Sequence, residues 1–260
     1  YHSRHRVGSF TQMNDLLRAP DKWRRLMAAY LDAAFAHSAV KAGKAGAIGY
    51  CLGGQSCLEQ LRAGHQIQAI CSFHGLLHSR PTTFEDPWNS LKRISTEEYN
   101  EKYAIPNNYN KGCRVLIENG AYDIEVPMDT MMDFVKEMDE QEIDWRFDNH
   151  ARTLHGFALA KGVPGGNDYT ELADRRSSIA MLSLFAETWP EYEQYPVECN
   201  ACGTKLGQYI VTSGGKRTLA RALSSQRLQT PSKKSSLPAI LAAAAAGMAV
   251  GVLLSMKSKL

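Results

Sequence analysis

The sequence predicts an α/β fold, a parallel sheet covered by helices on its faces. Two observations carry this. Apolar runs of strand length at 45–50, 67–73, 113–118 and 143–148 alternate with segments of helical spacing, so strand and helix follow one another four times. The first of these runs leads straight into Gly49-Tyr-Cys-Leu-Gly-Gly54, the pattern of a strand that turns sharply into a helix. The composition suits such a body. Of 260 residues, 44% are apolar and 22% charged, which is enough for one sizeable domain and additional segments.

The elements follow in order. Over 21–38, Trp23, Leu26, Met27, Tyr30, Leu31 and Phe35 recur at helical spacing, with Pro20 and Asp21 marking the start. Residues 45–50 are the first clear strand, and the helix after the turn runs to about Leu61. The run 67–73, IQAICSF, reads as a buried strand. Residues 80–111 then interrupt the alternation with a polar, mixed stretch holding Pro81, Pro87, Trp88 and Pro106 and a short helix near Thr96–Tyr103. That stretch is a surface excursion or a lid, because it leaves the strand end that follows Cys71. Strand 113–118, helix 127–140, strand 143–148 and helix 169–188 complete a domain over 1–195.

Beyond that domain the character changes. After Glu198 there is no carboxylate while nine Lys and Arg remain, so residues 199–260 carry +9 and residues 1–198 carry −6. The basic part has few aromatics and no nucleic-acid motif, which points away from nucleic acid. Residues 196–236 read as a basic flexible linker. Residues 237–254, LPAILAAAAAGMAVGVLL, carry no charge and read as a hydrophobic helix, a transmembrane tail anchor. As a helix they span about 27 Å, just short of a bilayer core of about 30 Å. The alternative is an Ala-rich helix that does not enter a membrane. The basic linker places the domain on the cytosolic side. Gly247 and Gly251 form a Gly-x-x-x-Gly pair suited to a homodimer through this helix. The short tail 255–260 ends Ser258-Lys259-Leu260, a peroxisomal address, so the peroxisome is the expected organelle, with a soluble peroxisomal protein or another organelle membrane as the alternatives.

Six cysteines form no regular disulfide framework; Cys71 and Cys113 lie in strand-like runs and are expected to be buried thiols. The lone pair Cys199 and Cys202 lacks the second ligand pair of a zinc ribbon, so no metal is expected.

Cys51 stands at the centre of the Gly-rich turn, a nucleophile elbow with cysteine in the place of serine. Its sulfur is lifted to the N-terminus of the next helix, where oriented N–H groups favour a thiolate. A thiol nucleophile needs a base, and the base an orienting acid. Asp123 lies past the end of strand 113–118, and His155 past the end of strand 143–148, in the order nucleophile, acid, base. Asp148 and His150 are the competing pair, and His74 and His78 are further rivals for the base. The N–H of Leu52 is the expected oxyanion donor.

Together these pieces resemble the dienelactone hydrolase family: Ile48-Gly-Tyr-Cys-Leu-Gly-Gly54, Ser72-Phe-His-Gly-Leu-Leu77, Gly120-Ala-Tyr-Asp123 with Val126-Pro127, and His155-Gly-Phe-Ala158 leading to Ala173-Asp-Arg-Arg176. The resemblance covers about residues 10–190. It implies an α/β-hydrolase fold and a Cys-His-Asp triad acting on esters or lactones, a small-molecule substrate, without a cofactor. It also implies opening strands that would precede Tyr1, so the chain is expected to be N-terminally truncated. Those strands would bring the second oxyanion donor and a glutamate beside the nucleophile. In the family an arginine four residues past the histidine holds a substrate carboxylate; here that position is Leu159, so a general carboxylic ester or lactone is expected. The alternative function is that of a catalytically impaired, hydrolase-like interaction protein tethered to an organelle.

Overall fold

A computed structural model describes residues 6–38, 40–78, 91, 94–159 and 168–190, and the backbone of 240–245 and 248–256. Its helices are α1 (Arg6–Leu17), α2 (Pro20–Ala36), α3 (Leu52–Arg62), α4 (Thr96–Lys102), α5 (Met128–Glu140) and α6 (Glu171–Thr188). Its strands are β1 (Val40–Tyr50), β2 (Ala69–Phe73), β3 (Arg114–Gly120), β4 (Asp144–His150), β5 (Ile240–Ala245) and β6 (Met248–Met256). They form one sheet in the order β4-β3-β2-β1-β6-β5. The β1–β2, β2–β3 and β3–β4 pairs are parallel, as the strand–helix alternation predicts.

Strand periodicity divides the core between two faces. On one, Ala45, Ala47, Ile70, Val115 and Ile117 pack with Leu58 and Leu61 of α3, Phe134 and Met138 of α5, and Leu31 of α2. On the other, Ala69, Cys71, Phe73 and Leu116 meet Phe157, Ala173, Leu184, Phe185 and Trp189. Covering both faces explains why β2 is buried at every residue. Each fully buried large apolar side chain contributes about 1.5–3 kcal/mol.

Helix α2 begins with Pro20 in its first turn and buries Trp23, Met27, Leu31 and Ala34 at helical spacing. Leu26 and Tyr30, expected on that stripe, are exposed. The short helix expected near 96–103 is α4, whose Ser95 side chain accepts from the Glu98 N–H. Leu91 and Tyr99 join Leu17, Trp23, Met27 and Leu52 in a third cluster beside the start of α3. Buried charges tie the same region together. Arg24 and Arg62 both reach Glu59, at 2.8 and 3.0 Å, and Arg62 reaches Glu137 at 2.7 Å.

Two elements differ from the sequence reading. Helix α1 had no clear apolar stripe to announce it. Of the run 237–254 expected to be a helix, the described residues 240–245 and 248–254 lie instead in a pair of antiparallel strands, with β6 alongside β1 from Ala45↔Leu254 to Gly49↔Val250. The free edge of β1 presents N–H and C=O groups that need partners, and the β-branched Val250 and Val252 suit a strand there. Among the described residues no helix is long and apolar enough to cross a membrane. The linker 196–236, Cys199, Cys202 and the Ser258-Lys259-Leu260 end lie outside the described residues, as does most of the first half of the 80–111 excursion.

Candidate active site

Cys51 is the single residue between the end of β1 and the start of α3. Its backbone sits at φ 53° and ψ −124°, a left-handed conformation that a non-glycine residue adopts at a cost of about 1–3 kcal/mol. Hydrogen bonds on both sides hold it there. The Cys51 N–H donates to the Phe73 carbonyl at 3.0 Å, and the Cys51 carbonyl accepts from the Gly54 N–H at 2.9 Å. The turn is so tight that a Cβ on Gly49 would overlap the Gly53 carbonyl. The elbow read from the glycine pattern is therefore formed, and it presents a partly exposed thiol.

The loops after β3 and β4 bring two groups to that thiol. His155 Nε2 lies 3.2 Å from Cys51 Sγ, and His155 Nδ1 lies 2.8 Å from Asp123 Oδ2. The other carboxylate oxygen of Asp123 accepts from the Glu125 N–H at 2.8 Å, so a local turn fixes the acid. The two loops are joined by their backbones: the Ala121 N–H donates to His150 O at 2.9 Å, and the Tyr122 N–H to Thr153 O at 2.8 Å. Gly156 follows the histidine at φ 79°, letting the chain turn away. The Asp123 side chain is fully buried and that of His155 is a quarter exposed.

Burial opposes a charge on His155, but the sulfur of Cys51 and the hydrogen bond it donates to Asp123 outweigh this and raise the imidazole well above its ordinary value. Burial alone pushes the Cys57 thiol up to about 12, and Cys71 and Cys113, buried as expected, are also raised. These three are packed thiols, unlike Cys51. Leu52 opens α3, so its N–H has no acceptor within the helix and belongs to the positive end of the helix dipole.

The rivals stand elsewhere. His150 Nε2 pairs with Glu118 Oε2 at 2.7 Å, and Asp148 lies 3.6 Å from Arg146. His78 faces Asp133 at 3.9 Å. His74 packs its ring beside His155, with centroids 5.0 Å apart. The Glu118–His150 pair escaped the sequence reading; its one signal was a carboxylate at the end of an apolar strand. Leu159 stands four residues past His155, its N–H donating to Gly156 O at 3.0 Å. Among the described residues no group of three His, Cys, Asp or Glu side chains could hold a metal ion.

A parallel sheet with a thiol on a strained strand-to-helix turn, and a His–Asp pair from later strand ends, is the arrangement of an α/β-hydrolase-like fold. The model of the dienelactone hydrolase family matches residues 6–189, and the chain belongs to that family. It is similar to the crystal structure of a dienelactone hydrolase-like promiscuous phosphotriesterase, P91, from metagenomic libraries. The identity is 30% and the TM-score 0.53, covering 68% of this chain and 66% of that one. It is also similar to the structure of m3DLH, with 29% identity and a TM-score of 0.51 over the same shares. The chain thus spans just under two thirds of each of these solved chains. An uncharacterised protein of Caenorhabditis elegans is 27% identical over 150 residues, 56% of this chain and 81% of that protein.

Proposed function

We propose that this chain hydrolyses a neutral carboxylic ester or lactone through Cys51, His155 and Asp123, by way of an acyl-thioester. The observation that carries the reading is the His155 ring, hydrogen-bonded to the thiol on one side and to a buried carboxylate on the other. His155 takes the proton of Cys51, and the sulfur attacks the carbonyl carbon. The oxyanion receives the Leu52 N–H. Collapse of the adduct breaks the C–O bond, and His155 protonates the leaving alkoxide. Water then gives a proton to His155 and attacks the thioester; the carboxylic acid leaves and the thiol is restored. Asp123 holds the imidazole in the tautomer this needs. Leu159 in the arginine position favours a substrate without a carboxylate of its own. Because P91 is a promiscuous phosphotriesterase, a phosphotriester is the second substrate to test.

Alkylation by iodoacetamide tests the nucleophile. Cys51 should react at least tenfold faster than the other thiols, and His155→Ala should slow it by roughly 10²-fold or more. Equal, slow reaction of all six thiols contradicts the proposal and favours the interaction-protein alternative.

A lid role for the 80–111 excursion is supported by Leu91 and Tyr99 packing with Leu52, next to the elbow. Attachment to a peroxisomal membrane through 237–254, with a dimer through Gly247 and Gly251, rests on the uncharged run and the Ser-Lys-Leu end. One segment cannot both edge the sheet and cross a bilayer. Carbonate extraction of the full chain against one ending at Ser236 decides: retention of the full chain alone supports the anchor, and equal release opposes it.

A further inference from the structure

We infer that His74 is a positioning residue for His155: a buried, uncharged ring whose flank keeps the imidazole of His155 directed at Cys51. This rests on the reading of His155 as the base and adds a residue with no part in the proton transfers.

His74 is the first residue past β2. Its N–H donates to the Glu118 carbonyl at 2.7 Å, pinning it between β2 and β3. It is wholly buried, and its φ of 39° is left-handed. Its ring lies 5.0 Å from that of His155 at 67°, 5.4 Å from Phe157 at 75°, and 5.9 Å from Tyr50 at 52°. Neither ring nitrogen has a hydrogen-bond partner among the described residues.

Two of these features are unfavourable for stability. A left-handed non-glycine backbone is strained, and a buried imidazole without partners forfeits its hydration. An aliphatic side chain there would avoid the second cost. What the ring does supply is a flat wall. His155 is held at its two nitrogens, by Cys51 and by Asp123, and those bonds leave it free to rock about the axis joining them. His74, itself packed against Phe157, meets the ring from the side and closes that freedom. Misplacing a reacting group by about 1 Å costs on the order of 10²-fold in rate, so a wall of this kind is functionally relevant.

The wall must also be neutral. Other titratable groups around His74 are Tyr50 from β1, Cys51 and Asp123 through His155, and the Glu118–His150 pair across Phe157. Burial, with a smaller push from His155, drives His74 well below its ordinary value. His155 is held well above its own. The adjacent rings are thus divided, one neutral and one able to hold the proton, which avoids two positive charges about 5 Å apart.

The test is the rate and pH dependence of Cys51 alkylation in the full chain, for the parent, His74→Ala, His74→Leu, His74→Phe and His155→Ala. Melting midpoints are recorded alongside. His74→Ala should slow alkylation about tenfold or more at pH 7 and displace its pH midpoint from that of the parent. If the alanine variant does not fold, His74→Leu, which keeps bulk without a planar ring, should show the same loss. His74→Phe, with a ring and no charge, should stay within about threefold of the parent. A purely structural role would lower melting midpoints and leave the pH midpoint of alkylation in place. The inference is overturned if folded His74→Ala or His74→Leu matches the parent in rate and midpoint, or if folded His74→Phe is as slow as they are. If His155→Ala itself alkylates like the parent, the underlying reading fails; if His155→Ala is slow and His74→Ala is not, only this inference fails.

Discussion

Two carboxylate–imidazole pairs, Asp123–His155 and Glu118–His150, lie at the ends of β3 and β4, and both have partners 32 residues apart. Sequence spacing therefore could not choose between the histidines. The geometry does, because only His155 also reaches the thiol. The two pairs respond differently to change. Asp123→Asn leaves a neutral partner that stabilises the wrong tautomer, so ester turnover should fall about 10²–10⁴-fold while KM shifts little. Steady-state kinetics read this directly. Burial, partly offset by His150, pushes the Glu118 carboxyl to about 7 from 4.5. The folded state then binds more protons than the unfolded state between those values. Its contribution to stability is complete below pH 4.5 and is lost as pH rises through about 7. Denaturation across that range should show the slope in the parent and not in Glu118→Gln. The meeting of Cys51, Asp123 and His155 was legible because motif and chain order marked them. Glu118 and His74 were not, because their roles depend on strand register and on which ring packs against which.

At the scale of elements, the elbow is the part most fully written in the local sequence. Gly49 lacks room for a side chain because the first turn of α3 passes against the end of β1, and Gly54 because that turn also passes against Ser72 and Gly75 at the end of β2. Gly49→Ala forces a Cβ into backbone that has nowhere to move. It should cost about 3 kcal/mol or more by denaturation and remove the fast alkylation of Cys51. The four parallel strands were legible from short apolar runs, though β1 starts at Val40 rather than Ala45. The Ala-rich run at 237–254 reads as a helix in sequence, while its residues 240–245 and 248–254 lie in strands, for a physical reason. Alanine favours helix locally, whereas its pairing with β1 is a long-range contact between residues about 200 positions apart, invisible to periodicity.

Across the whole molecule, a two-faced core carries the strand ends, and a buried charge network braces the face on which α2, α3 and α5 lie. Arg24, Glu59, Arg62 and Glu137 link these three helices, and Tyr109 donates to Glu137 at 2.7 Å from the chain after α4. Such a network adds little over an apolar core, but removing one member strands the others. Glu59→Gln should destabilise the fold by about 3–5 kcal/mol, seen as a fall of roughly 6–20 °C in Tm. None of this was legible in the sequence, where Glu59 and Arg62 resemble an ordinary solvated helix pair. The central claim concerns chemistry that the scaffold presents at one atom. It is tested most directly by intact-mass and peptide mass spectrometry of the protein quenched during turnover of p-nitrophenyl butyrate. The account predicts a butyryl group on Cys51, absent from Cys51→Ala along with turnover. Turnover that survives Cys51→Ala, or a butyryl group carried by a different residue, would contradict it.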